Sequence, residues 1–248
     1  MSTLRFEGNC RDENVADGIF ICEKCKEEFS TRDGIIHFQK EDGLKHMSRR
    51  YRVVQEIYHL FFTPLNNLMF LYCGGTQKAR QEVLEHLEIF HGANILETGI
   101  GTGDNLPILN GQISGCSFYG IDIKDKLLNA CNRNMKRHNI EVSLFHGDAE
   151  KLPFRDEAFD IVFHLGAINH FKDQKKAISE MIRVAKKGSR IVIADETQKG
   201  ARLMNIFVGR QKKVVPPVEM VPDSMVDIRL ETIWNGYGYL LEFRKPEN

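Results

Sequence analysis

Asn94-Ile-Leu-Glu97-Thr-Gly99-Ile-Gly101-Thr-Gly103-Asp-Asn105 is the stretch that decides the fold. Asn94 to Glu97 is a short apolar run with a single carboxylate, and it predicts a buried strand. Gly99, Gly101 and Gly103 then alternate with other residues. Glycine has no Cβ, so it tolerates positive φ and lets backbone come close to a ligand. A strand that breaks into alternating glycines ahead of a helix is a nucleotide-handling turn. The spacing is Gly-x-Gly-x-Gly, not the dinucleotide fingerprint Gly-x-Gly-x-x-Gly. The Lys-Ser/Thr of a phosphate-cradling loop is also missing, so a triphosphate would find no cationic partner in this turn.

Downstream, strand and helix patterns alternate steadily. Strands are expected at Ser117–Asp122, Val142–Phe145, Phe159–Phe163 and Arg190–Ala194. Helices are expected from Lys126 to His138 and from Asp173 to Ala185, and Lys186-Lys-Gly188 reads as a turn. Such alternation specifies an α/β fold, a doubly wound and mostly parallel sheet with ligands at the carboxyl ends of its strands. The tail differs. Met225–Thr232 and Tyr237–Arg244, joined through Trp234-Asn-Gly236, read as an antiparallel hairpin at one edge.

Four features fall at the ends of four consecutive strands: Glu97 with the glycine turn, Asp122, Gly147-Asp148-Ala149-Glu150, and His164-Leu-Gly166. A carboxylate after the second strand can accept both ribose hydroxyls, because it offers two oxygens and no donor. An acid after the third strand can accept from an adenine amino group. No cationic clamp for phosphate stands among them. The implied ligand is an adenosine without phosphates and with a charged or zwitterionic tail.

This pattern resembles the class I S-adenosylmethionine-dependent methyltransferases over residues 94 to 195, and more loosely in the C-terminal hairpin. Glu97-Thr-Gly-Ile-Gly-Thr-Gly103 corresponds to the family's first motif and Asp122 to its ribose acid. Gly147-Asp-Ala-Glu-Lys-Leu-Pro-Phe154 followed by Phe159-Asp-Ile-Val162 is similar to the small-molecule branch that includes quinone-biosynthesis enzymes. The resemblance implies a seven-stranded sheet with its last strand antiparallel and S-adenosylmethionine as cofactor. It implies Glu97, Gly99 and Gly101 near the methionine end, Asp122 on ribose, Ile123 against adenine, and Asp148 and Ala149 at the adenine edge. His164 would lie beside the cofactor. Methyl transfer from a sulfonium needs chiefly proximity and alignment, and a general base only where the acceptor must lose a proton. His164 and His170 are the candidate bases, with Asn169, Glu196 and Thr197 nearby.

Residues 1–42 form a small, turn-rich, β-patterned module around Cys22-Glu-Lys-Cys25. Thiolates at this spacing can share one tetrahedral metal. Cys10 is a third candidate ligand, and His37 or Glu7 a fourth. The segment resembles the zinc-ribbon-like modules that precede some methyltransferases. Its Asp33-Gly-Ile-Ile-His-Phe38 ending is intact, but its first cysteine pair is reduced to Cys10, with Glu at position 7. Zinc held by Cys10, Cys22 and Cys25 and a metal-free mini-sheet are the two readings. Residues 43–92 read as a helical lid or linker. Tyr51, Tyr58 and Phe62 lie on its aromatic face, and a second helix runs from Thr76 or Gln77 to Phe90. Residues 93–248 make up the Rossmann-like domain.

The chain carries 34 basic and 34 acidic residues. That balance lacks the basic excess of a protein that grips phosphate backbones, although Arg202, Arg210, Lys212 and Lys213 cluster. The longest apolar patch, Leu60 to Cys73, is interrupted by Pro64, Asn66 and Asn67, so no membrane span is expected. Irregularly spaced cysteines and no signal peptide suggest a reducing cytoplasm. The expected function is methyl transfer to a small apolar or aromatic acceptor. The competing readings are an RNA-base methyltransferase with an N-terminal zinc ribbon and a non-catalytic binding protein.

Overall fold

Short β-branched and apolar runs such as Asn94–Thr98 and Arg190–Ala194 are buried on both faces, which is the environment of central parallel strands. The computed structural model describes residues 4–11, 14–39, 74–202 and 213–247. The aromatic face at Tyr51, Tyr58 and Phe62 lies outside the described residues, as do Arg210 and Lys212.

The strands are β1 (Leu4–Arg11), β2 (Asn14–Cys22), β3 (Glu28–Arg32), β4 (Ile35–His37), β5 (Asn94–Thr98), β6 (Ser117–Asp122), β7 (Ser143–His146), β8 (Phe159–Leu165), β9 (Ala185–Glu196), β10 (Val226–Ile233) and β11 (Gly238–Arg244). The helices are α1 (Thr76–Leu84), α2 (Leu106–Gln112), α3 (Asp125–His138) and α4 (Gln174–Val184). All strands join one sheet in the order β1-β2-β3-β4-β7-β6-β5-β8-β9-β11-β10. Strands β7, β6, β5, β8 and β9 are parallel, and β11 runs antiparallel to both β9 and β10.

The sheet has eleven strands: β7, β6, β5, β8, β9, β11 and β10 make seven, and β1 to β4 are added beyond β7. The N-terminal strands extend it, because β4 pairs in parallel with the edge strand β7 through Ile35↔Leu144, Ile36↔Phe145 and His37↔His146. An exposed edge strand presents unpaired amides and carbonyls, and a parallel partner from the same chain covers them. Two aromatic contacts reinforce the seam: Phe38 packs on Phe29 and on Phe145.

Two local expectations are corrected. The helix expected to reach Phe90 stops at Leu84, passes through a 3-10 turn at Glu85–Leu87, and ends at Glu88 with φ of 49°. Lys186-Lys-Gly188 is not a turn between elements but a bulge inside β9. Phe159 pairs with Ala185, and the next pairing is Ile161 with Arg190.

The core lies on both sides of the sheet. On one face α4 buries Ala177, Ile178, Met181 and Val184, each larger aliphatic contributing about 1.5–3 kcal/mol. Asp173 caps that helix by accepting the N–H of Lys176 at 3.0 Å, the standard answer to an orphaned first-turn amide. On the other face Leu128, Cys131 and Met135 of α3 pack with Val83, Leu84 and Leu106.

Candidate active site

Strand order reverses between β5 and β8, and at such a point the following loops diverge and open a crevice at the carboxyl ends. The glycine turn fills that position. Gly99, Gly101 and Gly103 have φ of 69°, 58° and 78°, a region that disfavours side chains. Gly103 is also required by packing, because a Cβ there would stand 2.6 Å from the Cys131 sulfur. The turn folds over the end of β6: the N–H groups of Gly99 and Ile100 donate to the Ile121 carbonyl at 2.7 and 3.1 Å.

Two carboxylates flank this turn. Asp122 is buried, with Oδ2 accepting from Gly101 N–H at 2.9 Å and Oδ1 from Lys124 N–H at 2.8 Å. Burial raises its pKa above the usual carboxylate range, against the pull of those two amides. Glu97 is 2% exposed. Its Oε1 accepts from Asn105 Nδ2 at 2.6 Å, and Oε2 is buried with no hydrogen-bond partner. Burial pushes the Glu97 carboxyl up to about 8, partly offset by the Asn105 hydrogen bond. Arg80 of α1 steadies this arrangement, donating to Asn105 Oδ1 at 2.7 Å and to Asp104 at 3.2 Å. Neither Arg80 nor Asn105 was singled out by motif; their only sequence signal is proximity to the glycine turn and helical patterning.

Ile123 follows Asp122 with its side chain 44% exposed, an apolar surface turned outward at the end of β6. Asp148 and Ala149 are half-buried in the turn after β7, and Asp148 Oδ1 accepts the Glu150 N–H at 2.8 Å. Glu150 ties this turn to the next loop by accepting the N–H groups of Lys172 and Asp173 at 2.8 and 2.9 Å.

His164 stands near the end of β8 with both ring nitrogens engaged. It is fully buried. Its Nδ1 lies 2.6 Å from the Thr98 carbonyl, and its Nε2 accepts the Ala167 N–H at 2.9 Å. Those partners fix a neutral Nδ1–H tautomer, and burial lowers its pKa to about 4. It bridges β5 to the loop after β8. His170 is exposed at the end of a 3-10 turn, Ile168–His170.

That turn is anchored by a group the sequence reading overlooked. Asp195, buried at the end of β9, accepts the Asn169 N–H at 2.9 Å and the Glu196 N–H at 2.7 Å. Burial pushes Asp195 up to about 6, and burial with the nearby Asp195 charge pushes Glu196 up to about 7. The available signal was a lone acid ending an apolar strand. Beside the turn lies a cleft of about 380 Å³ lined by Asn169, Phe171, Lys172, Lys213, Val214 and Met220, among others.

The expected metal centre is not formed by the described residues. No three His, Cys, Asp or Glu side chains converge there. Cys22 is buried at the end of β2 while Cys25 is exposed on the following turn; the side chain of Cys10 is outside the described residues. The hairpin holds together by other means, with Phe6 stacked against Phe20 at 5.0 Å.

Residues 96–193 match the family described as a methyltransferase domain. The fold and this segment together define the class: a chain with the Rossmann-like fold of methyltransferases. Among curated relatives it is similar to the demethylmenaquinone methyltransferase of Thermus thermophilus, 34% identical over 101 residues that cover 41% of this chain and 46% of that protein. It is also similar to the demethylmenaquinone methyltransferase of Thermotoga maritima, 29% identical over 151 residues, covering 61% of this chain and 62% of that protein. The chain thus spans about half to three fifths of the length of these relatives. Among solved structures, a SAM dependent methyltransferase from Aquifex aeolicus matches with a TM-score of 0.51 at 19% identity, covering 66% of this chain and 88% of that one. That likeness is one of fold. Among the described residues no helix is long and apolar enough to cross a membrane.

Proposed function

We propose that this protein transfers a methyl group from S-adenosylmethionine to a small apolar or aromatic acceptor. The observation that carries the proposal is Glu97. A buried carboxyl with one orphaned oxygen, pushed up to about 8, stands near the end of β5, beside the strand β6 that ends in Asp122. An uncompensated buried carboxyl is costly, and a cationic methionine end would relieve it. Asp122 keeps lone pairs for ribose hydroxyls, since each carboxylate oxygen can accept twice. The residues present therefore fit this cofactor. Gly99 and Gly101 leave room for its methionine end, Ile123 and Ala149 form apolar walls for adenine, and Asp148 stands at the adenine edge.

The cofactor supplies, when bound, an electrophilic methyl on a sulfonium. The chain supplies position. His164 locks the turn after β8 to β5, and Asp195 locks the Ile168–His170 turn, so the acceptor side is held by two buried groups. His170 is the base for an acceptor that must lose a proton; an acceptor that needs none would use the site for alignment alone. The names of the relatives favour a quinone-like acceptor, and the apolar part of the cleft beside Asn169 suits such a ring. The proposal retains three segments, 1–42, 43–92 and 93–248, and a cytoplasmic setting.

The test is isothermal titration of the full chain with S-adenosylmethionine and S-adenosylhomocysteine, followed by methyl transfer to a panel of quinols and phenols. Binding that is lost in Asp122→Ala, with transfer to a member of the panel, supports the proposal. A folded protein that binds neither ligand overturns it.

A further inference from the structure

A chain of polar contacts runs from the N-terminal strands to the end of β6. His37 of β4 and His146 of β7 face each other with Nδ1 to Nδ1 at 3.1 Å. The far nitrogen of His146, Nε2, lies 3.1 Å from the Ile123 carbonyl. The far nitrogen of His37, Nε2, lies 4.0 Å from Asp125 Oδ1. Asp125 as a side chain is half exposed, but this oxygen is covered and has no hydrogen-bond partner.

The Ile123 end dictates where the protons go. A carbonyl only accepts, so His146 must carry its proton on Nε2 and present Nδ1 as an acceptor. His37 must then donate from Nδ1. The contacts fit one order of donors: His37 Nδ1–H to His146 Nδ1, and His146 Nε2–H to the Ile123 carbonyl. Two further backbone bonds tighten the same corner. Phe38 N–H donates to the His146 carbonyl at 2.9 Å and Gly147 N–H to the Asp122 carbonyl at 3.1 Å. The segment Asp122–Lys124 is thus held through the Asp122 carboxylate on one side and through the Ile123 carbonyl on the other.

We propose that His37, acting through His146, is a positioning residue for the adenine wall, so that the N-terminal strands are a working part of the cofactor site. This rests on the S-adenosylmethionine reading above. Besides each other, the imidazoles face Asp122 across the β6–β7 pairing, where Asp122 is the register partner of His146, and Asp125 from α3. Lys124, next to Asp122, is the nearby cation at that end of β6.

The experiment uses the full chain as wild type, His37→Ala, His37→Asn and Asp122→Ala. Titration is with S-adenosylhomocysteine, and with 5′-methylthioadenosine by competition, at pH 8, after thermal midpoints have been compared. His37→Ala is expected to weaken both ligands by the same factor, about threefold to tenfold, the worth of one net hydrogen bond. The Asn amide nitrogen stands in for Nδ1, so His37→Asn recovers most of that loss at pH 8. Methylthioadenosine has no methionine end to engage Glu97 and reports the nucleoside side alone. Its binding should weaken in His37→Ala and recover in His37→Asn as that of S-adenosylhomocysteine does. Unchanged binding of both ligands by His37→Ala overturns the inference, as does weakening confined to S-adenosylhomocysteine. Failure of His37→Asn to recover the loss does the same. If Asp122→Ala abolishes binding while His37→Ala is silent, the inference alone falls. A wild type that binds neither ligand removes the cofactor reading and this inference with it.

Discussion

Replacing Glu97 by Gln should uncouple cofactor binding from proton release. The amide keeps an acceptor for the Asn105 Nδ2–H that lies 2.6 Å from Oε1, and it removes the titration. With the carboxyl pushed up to about 8, about 0.9 of a proton is bound at pH 7 in the free protein, by the ordinary titration relation. An ammonium placed at the orphaned Oε2 favours the carboxylate, so binding of S-adenosylhomocysteine at pH 7 should expel that proton. Affinity should then strengthen nearly tenfold per pH unit up to about pH 8, the equivalent of about 1.4 kcal/mol per unit. Calorimetric titration at pH 7 in phosphate and in Tris, which differ in ionisation heat, counts the protons directly. Glu97→Gln should show none released, no such slope, and about 10- to 100-fold weaker binding at pH 8, the loss of a charged hydrogen bond. The same shift bears on stability. A carboxyl whose folded pKa is raised keeps its proton in the folded state after the unfolded chain has lost it. The free protein therefore loses stability as pH rises from about 4.5 towards 8, by at most about 1.4 kcal/mol per unit from this group. Glu97→Gln should remove that share and leave the weaker slopes of the same sign from Asp195 up to about 6 and Glu196 up to about 7. Equal proton counts in wild type and variant would refute the reasoning.

Asp122→Ala should weaken S-adenosylhomocysteine by at least about 100-fold, two charged hydrogen bonds at about 1.5 kcal/mol or more each, and Asp122→Asn by less; titration calorimetry ranks the three. Gly103→Ala should destabilise by about 1–3 kcal/mol, because its Cβ would meet the Cys131 sulfur at 2.6 Å in a backbone with φ of 78°. The control is Gly111→Ala within α2, where an added Cβ meets nothing within 4 Å; it should be neutral or stabilising by up to about 1 kcal/mol. Urea midpoints separate the two. Asp195→Asn should lower kcat with cofactor affinity unchanged, by loosening the turn that carries His170. It should also bring the Glu196 carboxyl down from about 7, since the Asp195 charge is one cause of its elevation; carbon NMR of the carboxyl reads that shift.

What could be read from the sequence was local. The glycine turn, Asp122 and Ile123 follow one another within a few tens of residues, and strand–turn–helix chemistry alone orders them. The bulge in β9 was misread for the same reason: Lys-Lys-Gly is good turn chemistry, and only the partner strand reveals that pairing resumes at Arg190. The β4–β7 seam was out of reach. It joins residues 109 apart at His37 and His146, and nothing in the composition of either strand names the other. The paired cysteine spacing describes at most half a metal site, and sequence alone does not show whether other side chains complete it. For His164, position along a strand does not reveal that both ring nitrogens are already engaged.

The electrostatics of the crevice follow from what is kept out as much as from what is present. Glu97, Asp104 and Asp122 bring carboxyls to the turn, and the imidazole at its floor is held neutral by burial, with its pKa near 4. Arg80 is engaged by Asp104 and Asn105. A nucleotide phosphate placed here would meet the buried Asp122 and Glu97 carboxyls in a region of low effective dielectric, where like charges repel far more strongly than in water. A sulfonium with an ammonium tail meets the same oxygens as an attraction. The turn therefore selects by charge before it selects by shape, and the glycines that open the space leave this selection to two buried acids.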